Sequence, residues 1–317
     1  MRATRPPIHA WADAAVRVLA RVTRRTLEKR AGWNDRDVEQ ELLAFIQERK
    51  AAGSLGARGS LRERRPFLRA LVDFLAMPEV ELAVSTSQAG RAIEANMRRP
   101  LRAGVAKGTF GVGVLGLPDS LTTYLRGRER QALRTNVRRA EEAGIVCADL
   151  PPGSQRALVV HQLQDRGEFT EPHWADELES ADSFAIATGP DGGLFAVSAT
   201  HVDGPVAMIV CFVSLGDGPQ YSHARYALHK HLVGRLIDAG VQTVCINDCT
   251  LMLPPGLPYF QRRLGFVLRR VRLVRSRARD VLVTHVVPAQ RDERDDRPGA
   301  EPSSVPRLTE HAAPPSA

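Results

Sequence analysis

The sequence contains few cysteines and no long apolar run. Four cysteines in 317 residues are too few for a disulfide scaffold. Cys245 and Cys249 form the only close pair, and no histidines lie at ligand spacing beside them, so we expect no metal site. No charge-free apolar stretch reaches the roughly 18 residues that a membrane-spanning helix needs, and no signal-peptide pattern is visible at the N-terminus. These absences predict a cytoplasmic protein without a transmembrane segment.

Lysine is also scarce, although the chain is basic. The chain has 44 basic and 36 acidic side chains and a net charge of +8, and its only lysines are Lys29, Lys50, Lys107 and Lys230. Arginine is the better ligand for phosphates and carboxylates, but codon bias in a GC-rich genome also replaces lysine with arginine. The composition therefore permits an anionic partner, such as tRNA or a lipid surface, without requiring one.

The chain divides into three parts by pattern. Apolar spacing predicts helices over 10–30, from Asn34 onward and over 66–77, with short strands at 80–84 and 108–117. We therefore expect residues 1–116 to form a mainly helical N-terminal region of unknown role. At the other end, residues 289–317 are rich in proline and lack a periodic apolar face, which predicts a disordered tail.

Between these parts, residues 117–288 alternate between helices and strands. An arginine-rich helix ends at Gly144, and three later strands are joined by tight turns, which is typical of an antiparallel meander. The expected order after that helix is strand 145–149, helix 153–167, a helix start near 173, strands 184–188, 194–201 and 206–215, helix 225–239, strand 241–247, helix 258–263, and strands 266–274 and 280–287. This order predicts an α+β fold with a mixed, largely antiparallel sheet flanked by helices.

Two segments of this region resemble known proteins. Residues 259–266, Tyr-Phe-Gln-Arg-Arg-Leu-Gly-Phe, resemble the end of the GNAT acyltransferase fold, and residues 117–144 are similar to the arginine-rich linker helix of Fem-type peptidyltransferases. The resemblance implies that residues 117–288 form a GNAT-like acyltransferase domain. Such a domain moves an acyl or aminoacyl group from a thioester or ester donor, acetyl-CoA or a longer acyl-CoA, to a small-molecule or peptidyl amine.

The resemblance implies a donor site where a strand leads into a helix. Backbone amides at a helix start bind phosphate, so the donor's pyrophosphate would lie against the amides of Ser222, His223 and Ala224 and the charge of Arg225, with Asn247 nearby. The family's glycine-rich phosphate cradle is absent, and the glycines of residues 216–218 are equally compatible with a simple turn. A carrier-bound acyl group and an aminoacyl-tRNA are therefore alternative donors.

Candidate catalytic residues follow from the same comparison. The family commonly has a tyrosine four residues before the final glycine, where Gln261 stands here, so the candidate acid is Tyr259. Attack by an amine needs a nearby proton acceptor, for which we consider Asp248 after its strand, and His201. The remaining candidates are expected in a structural turn or on a solvated helix face: Asp203, His229 and His231.

Substrate contacts are expected at Trp174, as a buried anchor or an acceptor wall, and at Arg134 and Arg138. With Arg130, these two arginines lie four residues apart and form one stripe on a helix. We expect one of two roles for this stripe. Together with the eight arginines of residues 262–279 it forms a path for tRNA or another anion, or it is only a solvated face. Alternative functions are a non-catalytic RNA- or anion-binding protein on the same fold, an aminoacyl-tRNA-dependent transferase, and an enzyme transferring headgroups at a membrane surface.

Overall fold

The computed structural model of the protein describes most of the chain before residue 277. The described residues are 15–16, 18–24, 35–51, 69–70, 72–101, 105–167, 173–254 and 256–276. The predicted tail and the predicted strand 280–287 lie outside them, so both remain predictions.

The described residues form helices and strands in alternation. The strands are β1 (Glu79–Val84), β2 (Val112–Gly116), β3 (Val146–Asp149), β4 (Ser183–Thr188), β5 (Leu194–Asp203), β6 (Val206–Ser214), β7 (Thr243–Cys249) and β8 (Val267–Arg275). The helices with full bounds are α1 (Asp35–Ala51), α2 (Gln88–Arg98), α3 (Lys107–Phe110), α4 (Leu121–Tyr124), α5 (Gln131–Glu142), α6 (Ser154–Asp165), α7 (His173–Glu179), α8 (Pro219–Asp238) and α9 (Gly256–Arg263). Residues 18–24 and 72–76 are also helical.

All of these strands belong to a single eight-stranded sheet. Their order is β1-β8-β2-β7-β6-β5-β4-β3. The β1/β8 and β6/β7 pairs are parallel, and the other neighbours are antiparallel. The predicted α+β class and largely antiparallel sheet flanked by helices are confirmed, and this arrangement is consistent with a GNAT-like fold. No helix in the described ranges is long and apolar enough to cross a membrane.

Helices cover both faces of the sheet, and each face has its own apolar core. On one face, α2, α6 and α7 contribute Ile93, Val160 and Leu178 to a cluster with inward side chains of the strands. On the other face, α5 and α8 contribute residues such as Leu133 and Leu232. Because neighbouring side chains of a strand point to opposite faces, a strand between these cores is apolar on both faces, as β6 is from Val206 to Val213.

The sheet includes strands from before residue 117. β2 lies between β7 and β8, and β1 forms the edge beside β8, so the predicted domain boundary at 116/117 falls directly after a central strand. The segment predicted as one strand, 108–117, is divided: α3 comes first, and β2 begins after Gly111, whose φ of 120° requires glycine.

Asp203 fastens the N-terminal strand β1 to the end of β5. Its carboxylate accepts hydrogen bonds from the Ser85 amide at 2.6 Å, the Ser85 hydroxyl at 2.6 Å and the Ser87 hydroxyl at 2.8 Å. The Ser87 hydroxyl in turn accepts from the Gly90 amide and caps α2. The structural role expected for Asp203 is thus visible in its contacts.

The arginine-rich strand β8 is used inside the fold. Arg270 is 1% exposed, donates to the Phe74 carbonyl and lies 5.0 Å from the centre of the Phe74 ring. Arg272 stands directly opposite Glu81 of β1 and forms an ion pair with it. Part of the basic cluster predicted as an anion surface therefore stabilises the sheet edge.

Replacement of Asp203 by alanine is expected to destabilise the protein by about 2–4 kcal/mol, because it leaves charge-assisted donors at Ser85 and Ser87 without their acceptor. Urea unfolding at neutral pH measures the loss. Asp191→Ala is the matched control, since this exposed carboxylate accepts from one nearby amide, that of Gly193. Equal stabilities of the two variants would contradict the anchoring role.

Candidate active site

A cleft opens where the parallel strands β6 and β7 separate. The two strands pair from Val206–Ile209 against Thr243–Ile246. Both continue beyond this ladder, β6 to Ser214 and β7 to Cys249. A bulge at Val210 of β6, which has no partner on β5 between Ala199 and Thr200, accompanies the separation.

The cleft is narrow and mainly apolar. Its volume is about 80 Å³, which is small beside the roughly 300 Å³ or more of a site that holds a whole drug-sized ligand. Its polar lining comes from Arg225, His229, Asp248 and Gln261. The cleft therefore has room for a small acyl group but not for an entire donor molecule.

Two of these polar side chains come from one face of α8. Arg225 and His229 lie four residues apart, so both point from the helix into the cleft. The Arg225 guanidinium lies 5.0 Å from the centre of the Phe260 ring. Its buried Nε has no hydrogen-bond partner within the described ranges. A cation held in this way is suited to binding an anion.

His229 is held by a buried tyrosine. The Tyr124 hydroxyl donates to the Leu264 carbonyl at 2.6 Å and lies 2.8 Å from Nε2 of His229. Because a hydroxyl has a single proton, Nε2 must donate to Tyr124 and Nδ1 is the acceptor nitrogen. The ring is flanked by Phe212 and Phe266, whose centres lie 6.1 and 5.9 Å away.

His229 is neutral in this environment. Burial, with a smaller contribution from Arg130, lowers its pKa to about 3. The prediction of a solvated helix face for His229 is wrong, since this residue is 1% exposed. His231 lies on a different side of α8, where its Nε2 is 2.9 Å from the Asp149 carboxylate.

The C-terminal end of β7 brings Asp248 to the mouth of the cleft. Its side chain is exposed there, yet the surrounding protein raises the pKa of its carboxyl by partial loss of hydration. Lys107 acts in the opposite direction. The ammonium of this 7% exposed lysine donates to the Asn247 side chain at 2.7 Å. Burial lowers the pKa of Lys107, and Asp248 counteracts that shift.

The predicted donor residues occupy a helix that starts earlier than expected. α8 begins at Pro219, after Gly218 with a φ of 111°, rather than at Arg225. Ser222 donates its amide to the Gly218 carbonyl at 3.2 Å, so Ser222, His223 and Ala224 lie within the helix. The amides left without helical partners are those of Gln220 and Tyr221. Of the predicted set, Arg225 reaches the cleft, whereas Asn247 contacts Lys107.

The three predicted catalytic residues lie apart from one another. Asp248 lines the cleft, whereas Tyr259 is 50% exposed on α9, with the Arg263 guanidinium 4.6 Å from its ring centre. His201 is buried opposite Met208, on the face that α2 covers, and its Nδ1 is 3.5 Å from Asp182. These positions support Asp248 more than the other two.

The predicted substrate residues also lie outside the cleft. Trp174 is partly buried on α7, which packs on the face opposite α8. Arg134 donates to the carbonyls of Leu125 and Gly127, at 2.5 and 2.9 Å. Arg138 forms an exposed ion pair with Glu142 at 3.4 Å. Contact of this stripe with tRNA stays a prediction.

Three side chains at the site were given no functional role from the sequence. His229 could have been found from its spacing to Arg225, which places both on one helical face. Lys107 could have been noticed as one of very few lysines in an arginine-rich chain. Tyr124 offers no comparable signal, because its partner carbonyl at Leu264 is 140 residues away in sequence.

Substitution of His229 by glutamine tests the neutral histidine through stability. The folded-state pKa of His229 is about 3, whereas its pKa in the unfolded chain is about 6.5. As pH falls below about 6.5 the unfolded state takes up a proton that the native state does not, so the free energy of unfolding decreases. Between about pH 7 and pH 5 the native protein should lose about 2 kcal/mol from this residue. Urea unfolding at both pH values should show that this loss is absent in His229→Gln and retained in His231→Gln. The same pH loss in all three proteins would contradict a buried neutral ring.

Comparison with known proteins gives remote structural likenesses. No protein-family model and no curated protein matches the chain. The structure of L-PGS from Bacillus licheniformis is similar with a TM-score of 0.39 and 17% identity, over 50% of this chain and 57% of that one. The C-terminal domain of a putative lysylphosphatidylglycerol synthetase from Agrobacterium fabrum is similar with a TM-score of 0.38 and 17% identity, over 50% of this chain and 57% of that one. A conserved protein of unknown function from Bacteroides thetaiotaomicron is similar with a TM-score of 0.37 and 12% identity, over 50% of this chain and 56% of that one. The chain thus spans little more than half the length of these solved chains.

Proposed function

We propose that this protein is an acyltransferase that moves an acyl or aminoacyl group from a thioester or ester donor to an amine in the cleft between β6 and β7. The observation that carries the proposal is the separation of these parallel strands around Arg225, His229 and Asp248. An apolar slot that is too small for a whole donor, with a cation and two hydrogen-bond acceptors in its lining, suits the acyl end of a larger anionic molecule.

Arg225 binds the anionic part of the donor. Its guanidinium is held over Phe260, so its orientation is fixed before a ligand arrives, which reduces the entropy lost on binding. The preferred donor is acyl-CoA, whose phosphates the arginine would bind in a bidentate manner. The thioester would then extend from Arg225 into the apolar slot.

Asp248 accepts the proton of the attacking amine. A carboxyl whose pKa is raised by its surroundings is a better general base than an ordinary carboxylate. His229 has too low a pKa to take up a second proton near neutral pH, so its Nδ1 serves as a hydrogen-bond acceptor that orients an N–H group. As the new C–N bond forms and the donor's C–S or C–O bond breaks, Asp248 accepts the amine proton and the leaving group departs as a thiolate or alkoxide, to be protonated in turn.

A ligand titration tests the donor. Acetyl-CoA and longer acyl-CoAs should raise the melting temperature by about 5 °C at a concentration of about 100 times Kd. Arg225→Gln should weaken this shift, because it removes the charge. If no acyl-CoA produces a shift and the protein instead binds tRNA in a salt-sensitive manner, the CoA donor is wrong and an aminoacyl-tRNA donor replaces it.

A pair of variants separates binding from chemistry. Asp248→Asn should lower kcat by about 10²–10⁴ with little change in donor affinity, because the amide cannot accept the proton. Release of free thiol from acyl-CoA in the presence of an amine measures turnover, and calorimetry measures affinity. Asp191→Asn, an exposed carboxylate in the β4–β5 turn, is the control. Full turnover by Asp248→Asn would remove Asp248 from the mechanism.

A further inference from the structure

The cleft has few side chains that can donate a hydrogen bond to a bound molecule. Among the described residues that line it, side-chain N–H groups occur on Arg225, His229 and Gln261. Nε2 of His229 is already used by Tyr124, and an ionised Asp248 carboxylate is an acceptor only. Arg225 and Gln261 are therefore the two side chains of this lining that can donate to a substrate.

The Gln261 side chain is fixed at the end of α9. It is 8% exposed, and the backbone carbonyl of the same residue accepts from the amides of Leu264 at 3.1 Å and Phe266 at 3.0 Å. Gly113 of β2 lies against this side chain, and a β carbon there would be 3.4 Å from Gln261 Oε1 and 3.1 Å from the Ile246 side chain. The glutamine thus fills space that the glycine leaves, and close packing holds it in place before a substrate binds.

A buried threonine determines which end of the amide is free. Thr250 is 4% exposed, and its hydroxyl donates to Gln261 Oε1 at 3.4 Å. In the part of the chain that the structure describes, this oxygen is the acceptor for the hydroxyl proton, so an amide turned the other way would leave a buried donor unsatisfied. The amide nitrogen of Gln261 forms no hydrogen bond within the described ranges. Its two N–H groups are therefore left for a ligand in the cleft.

We propose that the Gln261 amide donates a hydrogen bond to the acyl oxygen of the donor while that oxygen carries negative charge. As the amine attacks, its lone pair forms the C–N bond and an electron pair of the C=O bond moves onto the oxygen. As the C=O bond re-forms, the C–S or C–O bond breaks and the leaving group takes its electron pair. The amine proton passes to Asp248 and from there to the leaving group. An N–H group that is already in place stabilises the charged oxygen more than the neutral carbonyl, which lowers the barrier to attack.

The two groups that this reaction needs at the acyl carbon meet at the end of β7. Asp248 is the second-last residue of the strand, and Gln261 is bound to Thr250, which directly follows the strand. Arg225 comes instead from α8. This arrangement leaves the arginine for the permanent negative charge of the donor and the amide for the charge that exists only during attack. The inference rests on the proposed acyl transfer, to which it adds a catalytic residue.

Steady-state kinetics of the full-length protein tests the role of Gln261, with an amine and either acetyl-CoA or an aminoacyl-tRNA as substrates. Gln261→Met keeps the length of the side chain and removes its N–H groups, so kcat should fall by about 10²–10³. The Kd of the donor, measured by calorimetry, should change by less than about threefold, because the charged oxygen is absent from the ground state. Gln155→Met is the matched control at an exposed position on α6, and it should keep the native kcat.

Variants of Thr250 test the orientation of the amide independently. Thr250→Val removes the hydroxyl that holds Oε1, so kcat should fall by about tenfold, and Thr250→Ser should restore it. A purely structural contact would lower the melting temperature of Thr250→Val without lowering kcat of the folded protein. If Gln261→Met does not fold, the comparison of Thr250→Val with Thr250→Ser decides.

The outcomes separate this inference from the proposed function. A native kcat in folded Gln261→Met, or a loss of donor affinity as large as the loss of kcat, overturns the role of Gln261 and leaves acyl transfer intact. Absence of turnover by the native protein with both kinds of donor overturns the proposed function, and the role of Gln261 with it.

Discussion

The hydroxyl of Tyr124 joins three parts of the molecule at one buried point. It donates to the Leu264 carbonyl and accepts from Nε2 of His229, so it fixes α4, the turn before β8 and the middle of α8 relative to one another. The same turn needs Gly265, which has a φ of 92° and packs against the Arg130 side chain. Because the tyrosine fixes the proton on Nε2, it also leaves Nδ1 of the histidine as an acceptor.

The N-terminal part of the chain supports the other side of the site. β2 holds β7 in the centre of the sheet, and Lys107, just before β2, donates to Asn247 beside Asp248. A buried ammonium next to the end of β7 moderates the rise in the Asp248 pKa that its partial loss of hydration would otherwise cause. The residues before 117 therefore supply two strands of the sheet and also influence the electrostatics of the cleft.

The sequence predicted the meander and its flanking helices because their signals are local. Tight turns such as 189–193 and alternating apolar runs specify β4, β5 and β6 without distant partners. The misassigned features depend on distant contacts: Arg270 is buried because it reaches Phe74, 196 residues away, and His229 is buried because Tyr124 and the sheet cover that face of α8. Asp248 and Arg225 line the cleft, and both could be proposed from the sequence because each stands next to the junction of a strand and a loop or helix. The amides predicted to bind phosphate, those of Ser222, His223 and Ala224, lie inside α8 because Pro219 starts this helix earlier than the polar residues after it suggested.

The ring nitrogens of His229 offer the most direct test of this arrangement. In ¹⁵N-labelled protein, NMR should show Nε2 protonated and Nδ1 unprotonated throughout the pH range in which the protein is folded, since its pKa is about 3. Addition of an acyl donor or an amine should change the Nδ1 resonance more than the Nε2 resonance, because Nδ1 is the nitrogen left free for the cleft. A proton on Nδ1, titration of the ring near its ordinary pKa of about 6.5, or the absence of any response to ligand would contradict the account.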